Sequence, residues 1–449
     1  MTKSTVLCVA ALLITHASAY AADSKPYIGE DLQLRVNGKP FFIRGMAYAP
    51  EPLGFPGNAM QTKSQYGWNY SQGAWLCGPA NQYAPNDWQS PCADDDLVGT
   101  LILGTSANSA YNTAIQDKWK RDLDTMKKMG VNTLRLYNVN PAGKNHLPFL
   151  DAVAERGMYV IYPALSNYLA RETPGGFKKE LVQAIVSETC PGKVQHPAIL
   201  AYTAGNEVTP IQDQEDASRI QQTMEIVKAT CPGALVTYAH NDNPPDWVMA
   251  NNQNGESPLM EKFPLMDFLT VNIYRKNPSN GDIDAYHKLF YSDIKGVTEK
   301  YRKPFLIGET GEHQNDRFKP FWFNHEWQYV VANSTPVGNL GAVFFSYNDE
   351  PIKKSRSGTS NDVYMGIVSA DLAPLDKKDQ AIDPPDRFKA ADYQGIPDYT
   401  DGGYLIQHAG SKKGAGRYEM FVNDGKGIAG CSFVGAPSPA GIGACAAAK

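Results

Sequence analysis

The sequence predicts an α/β protein. Its expected architecture is a (β/α)8 TIM barrel with a long aromatic insertion after the first strand and a small β-rich C-terminal appendage. Three observations predict it. Eight short runs are almost continuously apolar instead of alternating, as parallel strands buried on both faces must be. Segments with helical periodicity separate them, the order of a barrel wound from βα units. No glycine-rich phosphate loop follows the first run, which argues against an open doubly wound sheet.

The expected strands, in chain order, are FFIRGMAY (41–48), NTLRLYNV (132–139), MYVIYPAL (158–165) and ILAYTAGNE (199–207). They continue with ALVTYAHN (234–241), DFLTVNIY (267–274), PFLIGE (304–309) and GAVFFSYN (341–348). Between them, KWKRDLDTMKKMG places Trp119, Leu123 and Met126 on one helical face and stops at Gly130. FLDAVAERG repeats the pattern with Leu150 and Val153 inward and Gly157 as the stop. Two stretches break the repeat. Residues 49–111 form the insertion, rich in Gly and Asn and carrying Tyr66, Trp68, Tyr70, Trp75, Tyr83 and Trp88. The stretch after residue 354 is rich in Gly, Asp and Lys, and its last part reads as the appendage.

The termini suggest export. Residues 1–22 combine Lys3, an apolar run from Val6 to Ile14, and small residues at Ala17, Ala19, Ala21 and Ala22. That is the layout of a signal peptide, and the run is too short to span a bilayer. The expected organisation is a signal peptide over 1–22, a catalytic barrel over 23–353, and an extension over 354–449 partly packed on the barrel. The mature chain is then secreted, periplasmic or associated with a cell wall, and no membrane partner is expected. Cys8 lies within the apolar run; the other six of the seven cysteines form an even set, as disulfides in an exported chain require. Cys190 and Cys231 precede the fourth and fifth strands and so meet on one face of the barrel. Cys77 pairs with Cys92 across the insertion and Cys431 with Cys445 near the terminus. A formal charge of −5 provides no footprint for nucleic acid. No Cys-x-x-Cys pair or histidine cluster supports a metal, and no cofactor is expected.

A barrel enzyme places its reacting groups at the C-terminal ends of the strands. Here those ends carry Tyr48, Arg135 with Tyr137, Asn206 with Glu207, His240, Tyr274, Glu309 and Tyr347. A core strand has no use for an unpaired carboxylate, whose burial is costly, so glutamates ending two apolar strands point to chemistry. Two carboxylates without a metal suit glycosidic bond cleavage. One, protonated, assists the leaving oxygen, while the other, ionised, attacks the anomeric carbon. Arg135 is placed to keep one of them ionised. His240 either lines the site or bonds only to backbone. Glu312 and the acidic run Asp94, Asp95 and Asp96 read as solvated loop charges, one short run offering too few oxygens for calcium. The aromatic insertion is placed to stack sugar rings over the barrel mouth.

The motifs now become specific. AGNEV, with Asn206 directly before Glu207, resembles the acid/base motif of clan A glycoside hydrolases, and LIGETG, with Glu309, resembles the clan's nucleophile strand. FIRGMAY, NTLRLYNVNP and AGNEVT together resemble glycoside hydrolase family 72, the β-1,3-glucanosyltransferases, over roughly residues 41–347. The resemblance implies a retaining enzyme that acts on β-glucan, in particular β-1,3-linked, by double displacement, with Glu207 as acid/base and Glu309 as nucleophile. It implies that Asn206 holds the substrate 2-hydroxyl, that Tyr274 bonds the nucleophile, and that Tyr137 and Tyr347 line the subsite of the cleaved sugar. Two positions depart from the family pattern: Ala49 replaces a glutamine, and GETG stands where SEYG is usual. The alternatives are an endo-β-mannanase or other endo-β-glycanase of the clan, and a catalytically silent barrel that binds polysaccharide.

Overall fold

The computed structural model describes residues 25–50, 130–139, 144–165, 179–208, 214–243, 258–275, 283–311 and 338–348, helix 106–128, and short pieces between and after them. Eight parallel strands close a barrel: β1 (Ile43–Ala47), β2 (Thr133–Arg135), β3 (Tyr159–Pro163), β4 (Ile199–Asn206), β5 (Val236–Asn241), β6 (Phe268–Asn272), β7 (Phe305–Thr310) and β8 (Asn339–Phe344). Each pairs with its neighbours in sequence, and β8 closes on β1 through pairs such as Val343 with Gly45. All eight coincide with the runs expected from apolar character; six lie wholly inside them, while β7 ends one residue beyond its run and β8 begins two residues before its own. Being buried on both faces, they show a signal that any single helix face would dilute.

The helices α1 (Ser106–Lys128), α2 (Leu147–Glu155), α3 (Lys179–Thr189), α4 (Gln214–Thr230) and α5 (Ile283–Tyr301) alternate with the strands, and a one-turn helix at Leu259–Lys262 precedes β6. Trp119, Leu123 and Met126 of α1 and Leu150 and Val153 of α2 are fully buried, as their spacing predicts. Gly130 and Gly157, just past the two helices, both sit at positive φ. α1 starts several residues earlier than the insertion was expected to end. The core divides in two. One layer lies between barrel and helices and includes Trp119, Phe149, Val186, Met224 and Ile294. The other fills the barrel with Ile43, Ile161, Leu200, Leu306 and Val343.

Leu34 and Val36 join that inner layer from a three-stranded antiparallel sheet (Tyr27–Ile28, Leu34–Val36, Lys39–Pro40) that was not anticipated. Its strands are two or three residues long, too short for periodicity to register. Cys190 and Cys231 are joined, with sulfurs 2.02 Å apart and Cα atoms 5.7 Å apart, where α3 and α4 hand over to β4 and β5. Cys77, Cys92, Cys431 and Cys445 lie outside the described residues, as do the leader, Glu312 and the C-terminal extension except Met365, which is buried in the inner core and accepts from the Ser346 backbone N–H. Among the described residues no helix is long and apolar enough to cross a membrane.

Within the insertion, backbone pairing places Trp68 opposite Trp75. Its exit corrects one expectation. Asp96 is fully buried, not a solvated loop charge. It accepts from the backbone N–H of Val98 and Gly99 and meets His146 Nε2 at 2.7 Å, while Lys144 Nζ lies 3.6 Å away. The other ring nitrogen of His146 meets Glu188 of α3 at 2.7 Å. Burial opposes a charge on His146, but the Asp96 carboxylate, with help from Glu188, outweighs it and raises the pKa to about 10. The side chains that meet Asp96, Lys144 and His146, lie 48 and 50 positions away, so the run carried no local sign of them; Asp94 and Asp95 lie outside the described residues.

Candidate active site

The polar residues predicted at the strand ends divide into a bonded cluster and a set of core side chains. Arg135, ending β2, is the hub of the cluster. Its Nη1 donates to Glu309 Oε1 (3.2 Å), to the Gly308 carbonyl (2.7 Å) and to Asn272 Oδ1 (3.0 Å), and its Nη2 donates to Asn206 Oδ1 (2.6 Å). The guanidinium is 1 % exposed. Removing such a charge from water is tolerable only when most of its donors are met by good acceptors; here both terminal nitrogens are, while Nε has no hydrogen-bond partner among the described residues. It also lies over the Tyr137 ring, 4.7 Å from the centroid, and that ring meets Phe345 edge-on.

Asn272, at the end of β6, links Glu207 to Arg135, which in turn bonds Glu309. Its Nδ2 donates to Glu207 Oε1 and to Asn206 Oδ1, both at 3.0 Å. Tyr274 Oη donates to Glu309 Oε2 at 2.8 Å. The Tyr274 ring is 41 % exposed, but its hydroxyl end is sunk in the cluster. Burial, and then the Glu309 carboxylate, push that hydroxyl well above its usual pKa, so it stays a donor. Glu309 is 7 % exposed and half-buried Glu207 stands beside it on the other side of Asn272.

Local backbone explains how strands aim these groups together. The ladders shift register between Thr203 and Asn206, between Val271 and Asn272, and between Ile307 and Thr310, all at the ends that carry the cluster. Such irregularities re-aim side chains that a regular pleat would send to opposite faces. Glu207 itself sits at φ 47°, a left-handed conformation uncommon for a residue with a Cβ. Gly308 leaves room for the hub: a Cβ there would lie 2.3 Å from Thr270 Cγ2 and 3.0 Å from Arg135 Nη1.

Three predicted residues do not join. Tyr48 is 2 % exposed, and its hydroxyl donates to Asp122 of α1 at 2.9 Å, with Lys118 Nζ 3.2 Å from the same carboxylate oxygen. Burial, reinforced by Asp122, pushes the Tyr48 pKa well up. The expected substrate contact through this hydroxyl is therefore replaced by a tie from the barrel to α1. Tyr347 packs near it, ring centroids 5.9 Å apart, also buried. His240 is fully buried, its Nδ1 meets the Asn241 carbonyl at 2.8 Å, and its ring meets Tyr238 with centroids 5.8 Å apart. Asn272 was missed. The available signal was a polar residue inside the apolar run LTVNI, which read as strand filling.

The arrangement places one carboxylate against a guanidinium and a phenol, and a second against a neutral amide. The two carboxylates thus meet different kinds of partner. The chain is also similar to known proteins. The chain is 33 % identical over 208 residues to the 1,3-beta-glucanosyltransferase PGA5 of Candida albicans, covering 42 % of this chain and 31 % of that one. It is 29 % identical over 247 residues to the 1,3-beta-glucanosyltransferase gas4 of Schizosaccharomyces pombe, covering 52 % and 51 %. The chain thus spans between about a third and about half of the length of these two relatives. In fold it is similar to a GH2 beta-galacturonidase from Eisenbergiella tayi, with a TM-score of 0.51 at 16 % identity over 84 % of this chain and 55 % of that one. The family model described as glucanosyltransferase, glycoside hydrolase family 72, matches residues 102–331, just over half of the 449 residues, and the chain belongs to that family.

Proposed function

We propose that the protein is a retaining β-1,3-glucanosyltransferase in which Glu309 attacks the anomeric carbon and Glu207 exchanges the proton. The observation that carries the reading is the asymmetry of the two carboxylates. Glu309 receives bonds from Arg135 and Tyr274, which stabilise negative charge, whereas Asn272 offers Glu207 a neutral donor. In the first half-reaction Glu207 gives its proton to the glycosidic oxygen as the C–O bond breaks, and Glu309 forms a glycosyl ester. In the second, Glu207 takes a proton from an acceptor hydroxyl, which displaces Glu309. Asn206, whose Oδ1 is held by Arg135 and Asn272, turns its N–H donors elsewhere, toward a sugar hydroxyl in this reading.

The relatives, both 1,3-beta-glucanosyltransferases, support β-1,3-glucan as donor and transfer as outcome. The exposed face of Tyr274 offers a surface on which a sugar ring can stack. We extend the proposal to an exported protein with a leader over 1–22, a barrel over 23–353 and an extension over 354–449. A second reading, plain hydrolysis, has one observation in its favour: the Tyr48 hydroxyl, a candidate acceptor contact, is bonded to Asp122. Transfer wins only where an acceptor sugar is held in line and water is kept away. Incubating one purified β-1,3-gluco-oligosaccharide and following chain length by mass spectrometry decides between the two. Products longer than the starting chain are expected; only shorter ones at high substrate concentration would leave a hydrolase.

A further inference from the structure

We infer that Asn272 is a positioning residue that selects which oxygen of Glu207 carries the catalytic proton. The inference rests on the reading of Glu207 as acid/base and goes beyond it.

The argument begins with Arg135, which can only donate. Its Nη1 lies 3.0 Å from one end of the Asn272 amide, so that end must be the oxygen. The NH2 end then faces Asn206 Oδ1 and Glu207 Oε1, each at 3.0 Å, and each of its two hydrogens has one acceptor. A flipped amide would point NH2 at the guanidinium and oxygen at two oxygens, three repulsive contacts in place of three bonds. Asn272 is 2 % exposed, so water offers it little alternative. The orientation of this amide is therefore set from β2, and it sets the orientation of the carboxyl on β4.

The consequence concerns the proton. Glu207 Oε1 accepts an N–H and so serves as the carbonyl-like oxygen of the neutral acid. The proton then resides on Oε2, the oxygen that Asn272 does not hold. From there it passes to the glycosidic oxygen, which takes the electron pair of the breaking C–O bond, and Glu207 is left as a carboxylate. Because the amide is neutral, this orientation is imposed without fixing Glu207 in its charged form, as a lysine or arginine at position 272 would do. The same arginine that pairs with Glu309 thereby governs the acid, through one side chain.

The test uses leaving-group dependence, because general acid catalysis matters for a sugar alkoxide and hardly at all for a dinitrophenolate. The full chain and its Asn272→Ala and Asn272→Asp variants are assayed for kcat/KM, which reports the first half-reaction. The substrates are a β-1,3-gluco-oligosaccharide and the 2,4-dinitrophenyl glycoside of a β-1,3-gluco-oligosaccharide. Asn272→Asp keeps the shape and the acceptor toward Arg135 but removes the donor, so it serves if the alanine variant folds poorly. General acid catalysis contributes roughly 10²- to 10⁴-fold, so misorienting the acid should cost about 30- to 100-fold on the oligosaccharide. On the aryl glycoside the loss should stay within about 3-fold, since no proton is needed there. Equal losses on both substrates, in variants with unchanged melting temperature, would overturn the proposal. Glu207→Ala is the control that separates the two levels. If it too falls equally on both substrates, the acid/base assignment is wrong and the positioning role goes with it. If it is selective and the Asn272 variants are not, only the positioning role fails.

Discussion

Two buried charge networks, one at the start of α2 and one at the barrel mouth, differ in what is left over. At the exit of the insertion, His146 is fully buried with Asp96 on one ring nitrogen and Glu188 on the other, and Lys144 lies near the same Asp96. Every strong donor and acceptor there is spent within the protein. At the barrel mouth Arg135 is equally buried, yet the groups around it are not closed off: Tyr274 is exposed along its ring and Glu207 is half-buried. Both networks are shifted: His146 is raised to about 10 at the insertion, and the Tyr274 hydroxyl is pushed well up at the mouth. A perturbed titration therefore does not by itself mark a reactive site, since structural ion pairs perturb it too. What separates the networks is access: one fastens a loop to two helices, the other keeps Tyr274 and Glu207 partly exposed.

That contrast can be broken most severely at the mouth. Glu309→Ala should lower transfer by on the order of 10⁴-fold or more, because the covalent route is lost. Azide or formate should restore part of the cleavage by standing in for the missing carboxylate, and the melting temperature should hardly change. A variant that lost stability in proportion to activity would place Glu309 with the structural network instead.

The opposite signature is expected at His146. His146→Ala strands Asp96 and should cost about 3 to 5 kcal/mol of stability, as removal of one partner from a buried pair does. Turnover per folded molecule should remain near wild type. In the fold His146 keeps its proton to about pH 10, against 6.5 for the ordinary side chain. Its contribution is thus fully present below about pH 6.5 and is lost as the pH rises through about 10. Thermal melts of wild type and variant from pH 6 to pH 10.5 should therefore converge on the alkaline side. A gap that stayed constant with pH would remove the charge from the argument and leave only packing.

Smaller or comparable effects sharpen the comparison further. The Cys190–Cys231 bridge closes a sequence separation of 41, and restricting that loop in the unfolded chain is worth about 4 kcal/mol. Replacing both cysteines by serine should lower the melting temperature and leave kcat/KM intact, because the bridge lies where helices enter strands, away from the mouth. Tyr274→Phe should be the mildest change. It removes one hydrogen bond to a charged group, worth about 1.5 to 3 kcal/mol, and should slow the reaction about 10- to 100-fold. Stability should be nearly unaffected, since the ring is 41 % exposed.

The legibility of the molecule in its sequence followed the range of the interactions concerned. All eight barrel strands were readable because continuous apolar runs such as PFLIGE and GAVFF are local signals with one physical cause, burial on both faces. Helices α1 and α2 were readable from the spacing of Trp119, Leu123 and Met126 and of Leu150 and Val153. The N-terminal sheet that seals the barrel floor was not, because Leu34 and Val36 reveal their purpose only against Ile43 and Val343. At the site, Arg135, Asn206, Glu207, Tyr274 and Glu309 were found because polar groups ending apolar strands are conspicuous. Tyr48 stood out for the same reason, yet its hydroxyl belongs to Asp122, 74 residues away.

By itself the sequence determined the barrel, the order of its strands and the pair of glutamates placed at its mouth. Periodicity and the cost of burying a carboxylate act on neighbouring residues and can be read along one dimension. Only the tertiary structure decided that Asn272 joins Glu207 to Arg135, and that Asp96 and His146 form a buried lock. Asn272 bonds a residue 137 positions away, and a single amide inside an apolar run has no local signature. Hydrogen-bond partners are chosen by where the closed barrel brings the strand ends, with register shifts at β4, β6 and β7 aiming the last side chains. That selection exists only once the eighth strand has closed on the first.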